Sequence, residues 1–292
     1  MSLATNRDKI VRQSVMGRVH HPVLTPQKVY RVGSDGGARF TPAHGAITYD
    51  IEIGDSCMGL VGDHIEPGVS SKNADDIENR AYTHLSCIGN VAEVVTGKAA
   101  GDKGFVTGTH GGIDHVMIWF SQETLNKMVC DDKILVKAYG QGLALVDYPQ
   151  VKLMSVDPDL FDKLNIQEED GHLVVPVSAV IPAYLMGSGL GAMEVFGSDY
   201  DIMTRDPASR AEFHLDDLRF GDLVFIQDHQ CFHGPDYLRG SGTVGVIIHG
   251  DSNLAGHGPG VTPIMTCREP VLVPKLDRSA NIAFYLGTKQ PG

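Results

Sequence analysis

Leu223-Val224-Phe225-Ile226-Gln227-Asp228-His229-Gln230-Cys231-Phe232-His233-Gly234-Pro235 decides how this chain reads. An apolar run of strand length comes first, and side chains that bind metals or move protons begin where it ends. A second run, Val244-Gly245-Val246-Ile247-Ile248, stops in the same way at His249-Gly250-Asp251. Two buried strands that each open into His and Asp place the chemistry at strand ends.

Further runs rich in Val, Ile and aromatic residues cover 46–53, 91–95, 116–120, 134–139 and 173–181. The 34 Gly and 15 Pro cut them with tight, frequent turns. Regular helices of roughly 10–15 residues do not alternate with these runs, which argues against a doubly wound parallel sheet. The expected fold is mainly β, with several small barrel or sheet modules packed together and a few short helices. One helix is expected over 74–88, capped by Asn73, with Ile77, Ala81, Leu85 and Ile88 on its apolar face and Gly89 at its end. Another starts at Ser121 and carries Leu125 and Met128; a third has Asp157 as cap and Pro158 in its first turn, before Leu160, Phe161 and Leu164. Gly54-Asp55 and Gly221-Asp222 each precede an apolar segment and hint at duplicated β modules. The acidic stretch Gln167-Glu168-Glu169-Asp170 offers a seam between β-rich lobes at 1–165 and 166–292, unless the two halves form one intertwined unit.

Composition narrows the function. At 292 residues the chain can bury a substantial core, and its net charge of -12 argues against nucleic acid or an anionic membrane as partner. A small-molecule substrate and assembly into a homo-oligomer are expected instead. No apolar run approaches the roughly 20 residues that cross a bilayer, and the segment from Met1 to Arg7 lacks a signal-peptide core, so a cytoplasmic location is expected. The five cysteines are widely spaced, as reduced thiols would be.

The 13 histidines matter through their neighbours. In Gly62-Asp63-His64-Ile65-Glu66-Pro67-Gly68, acid, base and ligand groups crowd one loop ahead of the first helix. The bland reading makes Asp63 and Glu66 turn residues and Ser70, Ser71 and Asn73 helix caps. In Thr109-His110-Gly111-Gly112-Ile113-Asp114-His115, paired glycines let the backbone approach a ligand, while extended geometry turns Asp114 and His115 to opposite sides. Its bland reading is a glycine hairpin with surface histidines. Around His229, alternation sets His229, Cys231 and His233 on one side and Asp228 on the other. Cys231 is also a thiolate candidate beside its imidazoles. Gly187-Ser188-Gly189-Leu190-Gly191 lacks the spacing of a nucleotide loop and reads as a close-packed turn.

His64 to Ser70, His233-Gly234-Pro235-Asp236-Tyr237, Ile248 to Asp251 and Gly256-His257-Gly258-Pro259-Gly260-Val261-Thr262-Pro263 resemble, over nearly the whole chain, a family of bacterial and archaeal proteins known as domain of unknown function 4438. The resemblance implies a mainly β fold of several modules. A fainter similarity, to the acetamidase/formamidase family, runs from Leu173 through Pro182 to Gly189 and includes Gly111-Gly112-Ile113-Asp114. Where that family has Asp and His, this chain has Ser188 and Leu190, with Glu194 the acid downstream, so Asp114 is the polar position the resemblance carries over.

The expected activity is hydrolysis of a C–N bond in a small amide or cyclic amide with a divalent metal, zinc by its ligands. Expected ligands are Asp63, His110, His229, His249 and Asp251, with Asp114 the alternative to Asp63; the expected catalytic groups are Glu66 as general base, His64 toward the substrate carbonyl unless it joins the metal shell, Asp114 and Asp228. The alternatives are a metabolite-binding protein without turnover and a structural oligomer.

Overall fold

The computed structural model describes residues 3–23, 30–40, 45–193 and 195–290; Glu194 lies outside them. The first half carries β1 (Gln13–Val19), β2 (Tyr30–Val32), β3 (Ala38–Phe40), β4 (Ile47–Thr48), β5 (Gly68–Lys72), α1 (Asp76–Leu85), β6 (Val91–Val94), β7 (Lys103–His110), β8 (His115–Trp119), α2 (Gln122–Leu125) and β9 (Lys133–Ala138). Strands pair in the order β1-β9-β6-β7-β8-β5, and β5 returns to β1 through Arg18–Lys72 and Val19–Ser71, which closes a six-stranded antiparallel barrel. Its alternate inward residues, among them Val19, Val69, Ala92, Val94, Val106, Val116, Ile118, Ile134 and Val136, are fully buried and fill the interior.

The second half holds β10 (Lys152–Leu153), α3 (Pro158–Phe161), β11 (Gln167–Glu169), β12 (His172–Val177), β13 (Ala179–Pro182), β14 (Tyr200–Asp201), α4 (Pro207–Glu212), β15 (Leu223–Gln230), β16 (Asp236–His249), β17 (Gly260–Cys267), β18 (Leu272–Leu276) and α5 (Ile282–Tyr285). A sheet runs β10-β17-β16-β15-β13, with β14 also on β17, and a smaller one runs β11-β12-β18. The apolar segment at 173–181 is thus two strands, broken at Ser178 and sent to different sheets. Parallel pairing is confined to β12–β18 and β13–β15 among the described strands. The fold is mainly β, with a closed barrel, separate sheets and a few short helices.

Helix α1 differs from its sequence reading. Asp75, not Asn73, is the cap and accepts from the amides of Ile77 and Glu78. The buried face is Asn79, Tyr82 and Thr83, while Ile77 is 81% exposed. Asn79 donates to Asp114 O and Tyr82 shares its hydroxyl with Ser71, so buried polar partners, not apolar spacing, chose the face. Ser121 and Asp157 cap α2 and α3 as their sequences suggest.

Two packing features join the halves at the site. The Gly54-Asp55 and Gly221-Asp222 turns lie against each other: Gly54 N donates to Phe220 O and Phe220 N to Asp55 O. In each, the Asp carboxylate accepts the amide three residues earlier, that of Glu52 or Arg219. At the other contact β7 sits on β16 and β17, where a Cβ at Gly108 would come within 2.3 Å of Ile248 Cγ2 and Thr262 Oγ1 donates to Thr109 O. That contact carries His110, at the end of β7, to His249, at the end of β16. No helix among the described residues is long and apolar enough to cross a membrane.

Candidate metal centre

Three adjacent strands build the floor of the site. In the order β14-β17-β16, Asp201 and His249 both lie opposite Gly260, so they flank it from either side. Gly260 leaves the space they use: a Cβ there would stand 2.2 Å from His249 Nε2 and 2.3 Å from Asp199 Oδ2. Asp199 and Asp201 are two apart and project to the same face, whereas Tyr200 between them turns to the other. His110 comes from the end of β7, and His64 from the loop before β5, where it adopts a left-handed backbone at φ 53° and donates its amide to Asp251 O. Such a conformation in a bulky residue is costly and recurs at functional sites.

His64, Asp201 and His249 form one group of converging ligand atoms, and His110, Asp199 and His249 another, each within 4.8 Å. All five residues are buried. Each is also held by its atom on the far side. His249 Nδ1 lies 2.9 Å from Gly250 O, which can only accept, so Nδ1 carries the proton and Nε2 is left as the ligand atom. His110 Nδ1 is 2.5 Å from Glu66 Oε1, and His64 Nδ1 is 3.1 Å from Asp63 Oδ2. Asp199 Oδ1 accepts from Gly111 N at 2.6 Å; Asp201 Oδ2 takes His257 Nδ1 at 2.9 Å and Gly258 N at 3.3 Å. The inward atoms remain: His249 Nε2 lies 2.9 Å from Asp199 Oδ2 and 3.5 Å from Asp201 Oδ1, yet it makes no hydrogen bond of acceptable geometry. His64 Nε2, by contrast, meets His257 Nδ1 at 3.1 Å and Asp201 Oδ2 at 3.3 Å, so the buried His249 Nε2 between two carboxylates is the atom that fits a cation.

One of the three ring spacings, that of His64 and His249, falls in the range that a shared ion sets. Nε2 atoms about 2.1 Å from one ion put their ring centres about 4.5–5.2 Å apart at tetrahedral or octahedral angles. The rings of His110 and His249 are 4.3 Å apart, those of His64 and His249 4.8 Å, and those of His64 and His110 5.8 Å. The two groups have His249 in common. Burial penalises charge on Asp201, but His249, His257 and His64 outweigh it and hold the carboxyl well below its usual range. Burial likewise opposes a charged His249, and Asp199 and Asp201 override it, raising its pKa well above the ordinary value. The centre therefore attracts positive charge.

The centre opens into a cavity of about 360 Å³ lined by Arg31, His64, His110, the Gly111-Gly112-Ile113 turn, Ser188, Gly189, Ser198, Asp199, Asp201 and His257. This is small for a ligand pocket. The glycine turn at 187–191 is close-packed, since a Cβ on Gly187 would sit 2.1 Å from Gly256 O, and it also contributes Ser188 and Gly189 to the wall.

The structure sorts the residues singled out from sequence. His64, His110 and His249 come together. Asp63 stands behind His64, accepting from Ser252 Oγ at 2.5 Å and Asn253 N at 3.3 Å, and so orients that ring from outside the cluster. Glu66 lies behind His110: its oxygens are taken up by His110, His115 and Ser70, and it does not line the cavity, which is at odds with the expected general-base role. Burial raises its pKa, but His115 and His110 outweigh that and leave it ionised. His115 pairs with His110 across the hairpin and reaches His20 Nδ1 at 2.8 Å. Asp114, by contrast, is an exposed left-handed turn residue at φ 60°, 3.8 Å from Lys72 Nζ. Asp228 sits at a β-bulge, φ 59°, and accepts from Gly240 N. Asp251 is committed to Thr204 and Arg205, each at 2.5 Å.

His229 does not join the cluster. It stacks on Tyr200 with ring centres 5.2 Å apart, on the face of β14 away from the aspartates, and contacts Thr243 Oγ1 at 3.2 Å. Thr243 is six residues from His249 along β16, roughly 20 Å of extended chain. Burial pulls its pKa down to about 4. Cys231, beside it, is buried and pushed up to about 11, which leaves a thiol and no nucleophile at neutral pH. Asp199, Asp201, His257 and Arg31 were not singled out from sequence; Asp199-Tyr200-Asp201, two carboxylates of one parity, was the available signal.

This is a β protein with a buried His/Asp cluster between a closed barrel and a second sheet. The chain belongs to the DUF4438 family: the family's N-terminal domain of unknown function matches residues 30–162 and its C-terminal domain matches 163–286. It is similar to a solved structure described as "Crystal structure of TM1086", at 45% identity, 98% coverage of this chain, 99% of that chain and a TM-score of 0.93. No curated protein matches.

Proposed function

We propose that the chain is a metal-dependent hydrolase that cleaves the C–N bond of a small amide or cyclic amide. One observation carries this reading: His64, His110, His249, Asp199 and Asp201 form two buried groups of close ligand atoms that share His249, at the floor of a cavity. Imidazole and carboxylate donors suit a divalent ion such as zinc, and the cavity gives water or substrate a route to it; a catalytic zinc would use three of these residues and keep its fourth position for water. A divalent ion would lower the pKa of a water it holds toward about 7 and polarise a carbonyl.

The chain's own base is His257. Its Nδ1 is fixed on Asp201 Oδ2 at 2.9 Å, and the residue lines the cavity with its side chain 30% exposed, so Nε2 is the atom able to take a proton there. In the proposed step the water oxygen bonds to the carbonyl carbon and its proton passes to His257 Nε2. The proton then goes to the amide nitrogen as the C–N bond breaks, leaving a carboxylic acid and an amine. Glu66 and Asp63 act as positioning residues.

Elemental analysis of tag-free protein should find one equivalent of a divalent metal, with zinc expected. Turnover on a panel of amides and lactams should vanish on chelation and return with the ion. His257→Asn should lose about 10²–10⁴-fold in rate while keeping the metal. Protein that takes up no metal refutes the centre; metal and ligand bound without turnover points to a binding protein.

A further inference from the structure

We infer that the substrate carries a carboxylate, and that Arg31 is the residue that receives it; this rests on the hydrolase reading above. Strand β2 supplies the argument's first part. Its three residues alternate, with Tyr30 67% and Val32 69% exposed, while Arg31 between them turns inward and lines the cavity. Arg31 is the cavity's one Lys or Arg among the described lining residues. The other ionisable groups on that wall are His64, His110, Asp199, Asp201 and His257, all assigned above to holding the ion or moving a proton.

Among the described residues Arg31 is not committed to a settled ion pair. Its contact with Asp63 is a single Nη1–Oδ2 approach of 3.5 Å, at the limit of a hydrogen bond and far from the two-pronged geometry of a settled Arg–carboxylate pair. Asp63 does not need it, since Ser252, Asn253 and His64 already meet that carboxylate. A guanidinium has five donors in a planar fork, and its best partner is a carboxylate accepting two of them. Part of the wall is glycine: Gly111, Gly112 and Gly189 let a small ligand lie close. A cavity of about 360 Å³ with an ion site at its floor and one guanidinium in its wall therefore fits a short molecule with the scissile carbonyl toward the floor and a carboxylate toward Arg31. Small carboxylate-bearing amides or lactams have that form.

Cobalt-substituted protein tests this without knowledge of the natural substrate. The probes are acetohydroxamate, the monohydroxamates of succinic and glutaric acid, and the same two molecules with the distal acid as a primary carboxamide; binding is read from the cobalt visible spectrum. At least one acid should bind tenfold or more tightly than both its carboxamide and acetohydroxamate. Arg31→Met should remove that advantage, a 10- to 100-fold loss, and leave acetohydroxamate affinity within about twofold. Equal binding of acid and carboxamide by the unaltered protein overturns the assignment and needs no variant. Equal losses for all probes in Arg31→Met also overturn it, since they mark a structural role through Asp63. A chain that takes up no cobalt, or whose spectrum ignores every hydroxamate, overturns the metal reading and this inference with it.

Discussion

At the scale of single residues, atoms on the far side of each ligand tell more than the ligands do. A histidine with one nitrogen bound to a carboxylate or carbonyl has its tautomer and ring plane set, which raises the basicity of the other nitrogen. Glu66 performs this for His110, and Glu66→Gln is expected to weaken metal affinity about 10- to 100-fold, measured by competition with a chromophoric chelator. Unchanged affinity would show that the Glu66–His110 contact is unrelated to the centre. His229 allows a separate test. Its folded pKa of about 4 lies below the ordinary 6.5, so the unfolded chain binds the extra proton between those values. Its contribution is complete above about pH 6.5 and lost as pH falls toward 4, an acid sensitivity of about 3 kcal/mol. Urea unfolding at pH 7 and pH 4.5 should show a smaller drop for His229→Gln than for the unaltered chain. Equal drops would place the titration elsewhere.

At the scale of elements, the site depends on a missing side chain. Gly260 lies in β17 between Asp201 on β14 and His249 on β16, and its alpha hydrogens occupy what would otherwise be ligand space. Gly260→Ala is expected to abolish stoichiometric metal binding by displacing His249 and Asp199, with the sheet intact by circular dichroism. Retention of a full equivalent of metal would show that the strands can part by more than this packing implies. Helix α1 shows how periodicity can mislead. Ile77, Ala81 and Leu85 have helical spacing, but the barrel wall offers polar partners, so Asn79, Tyr82 and Thr83 turn inward. Hairpins were more legible: the Gly111-Gly112 turn does bring His110 back toward the next strand. His115, and not Asp114, shares its face because strand residues directly opposite lie on one side.

At the scale of the whole molecule, the ion would act as a clasp. Its ligands come from the barrel (His64, His110) and from the second sheet (Asp199, Asp201, His249). An ion that binds only the folded chain stabilises it by about 2.7 kcal/mol at a hundredfold excess over its dissociation constant. For a chain of this size that is roughly 4–5 °C in Tm. Chelation should lower Tm by that order and restoration of the ion should reverse it; a Tm indifferent to chelator would mean that no clasp exists. Val- and Ile-rich runs and glycine turns were enough to read a β-rich chain with histidines at strand ends, because those features act between near neighbours. His110 and His249 could be suspected for the same reason. Their meeting could not, since it needs β7 to lie on β16 and two glycines, Gly108 and Gly260, to let the layers close. Nor could the exclusion of His229, Asp228 and Asp114, because one β-bulge, one strand face and one left-handed turn redirected side chains whose spacing looked equally suitable. Local chemistry can be read along a chain, whereas the convergence of groups from strands that are distant in sequence is set by how the sheets pack.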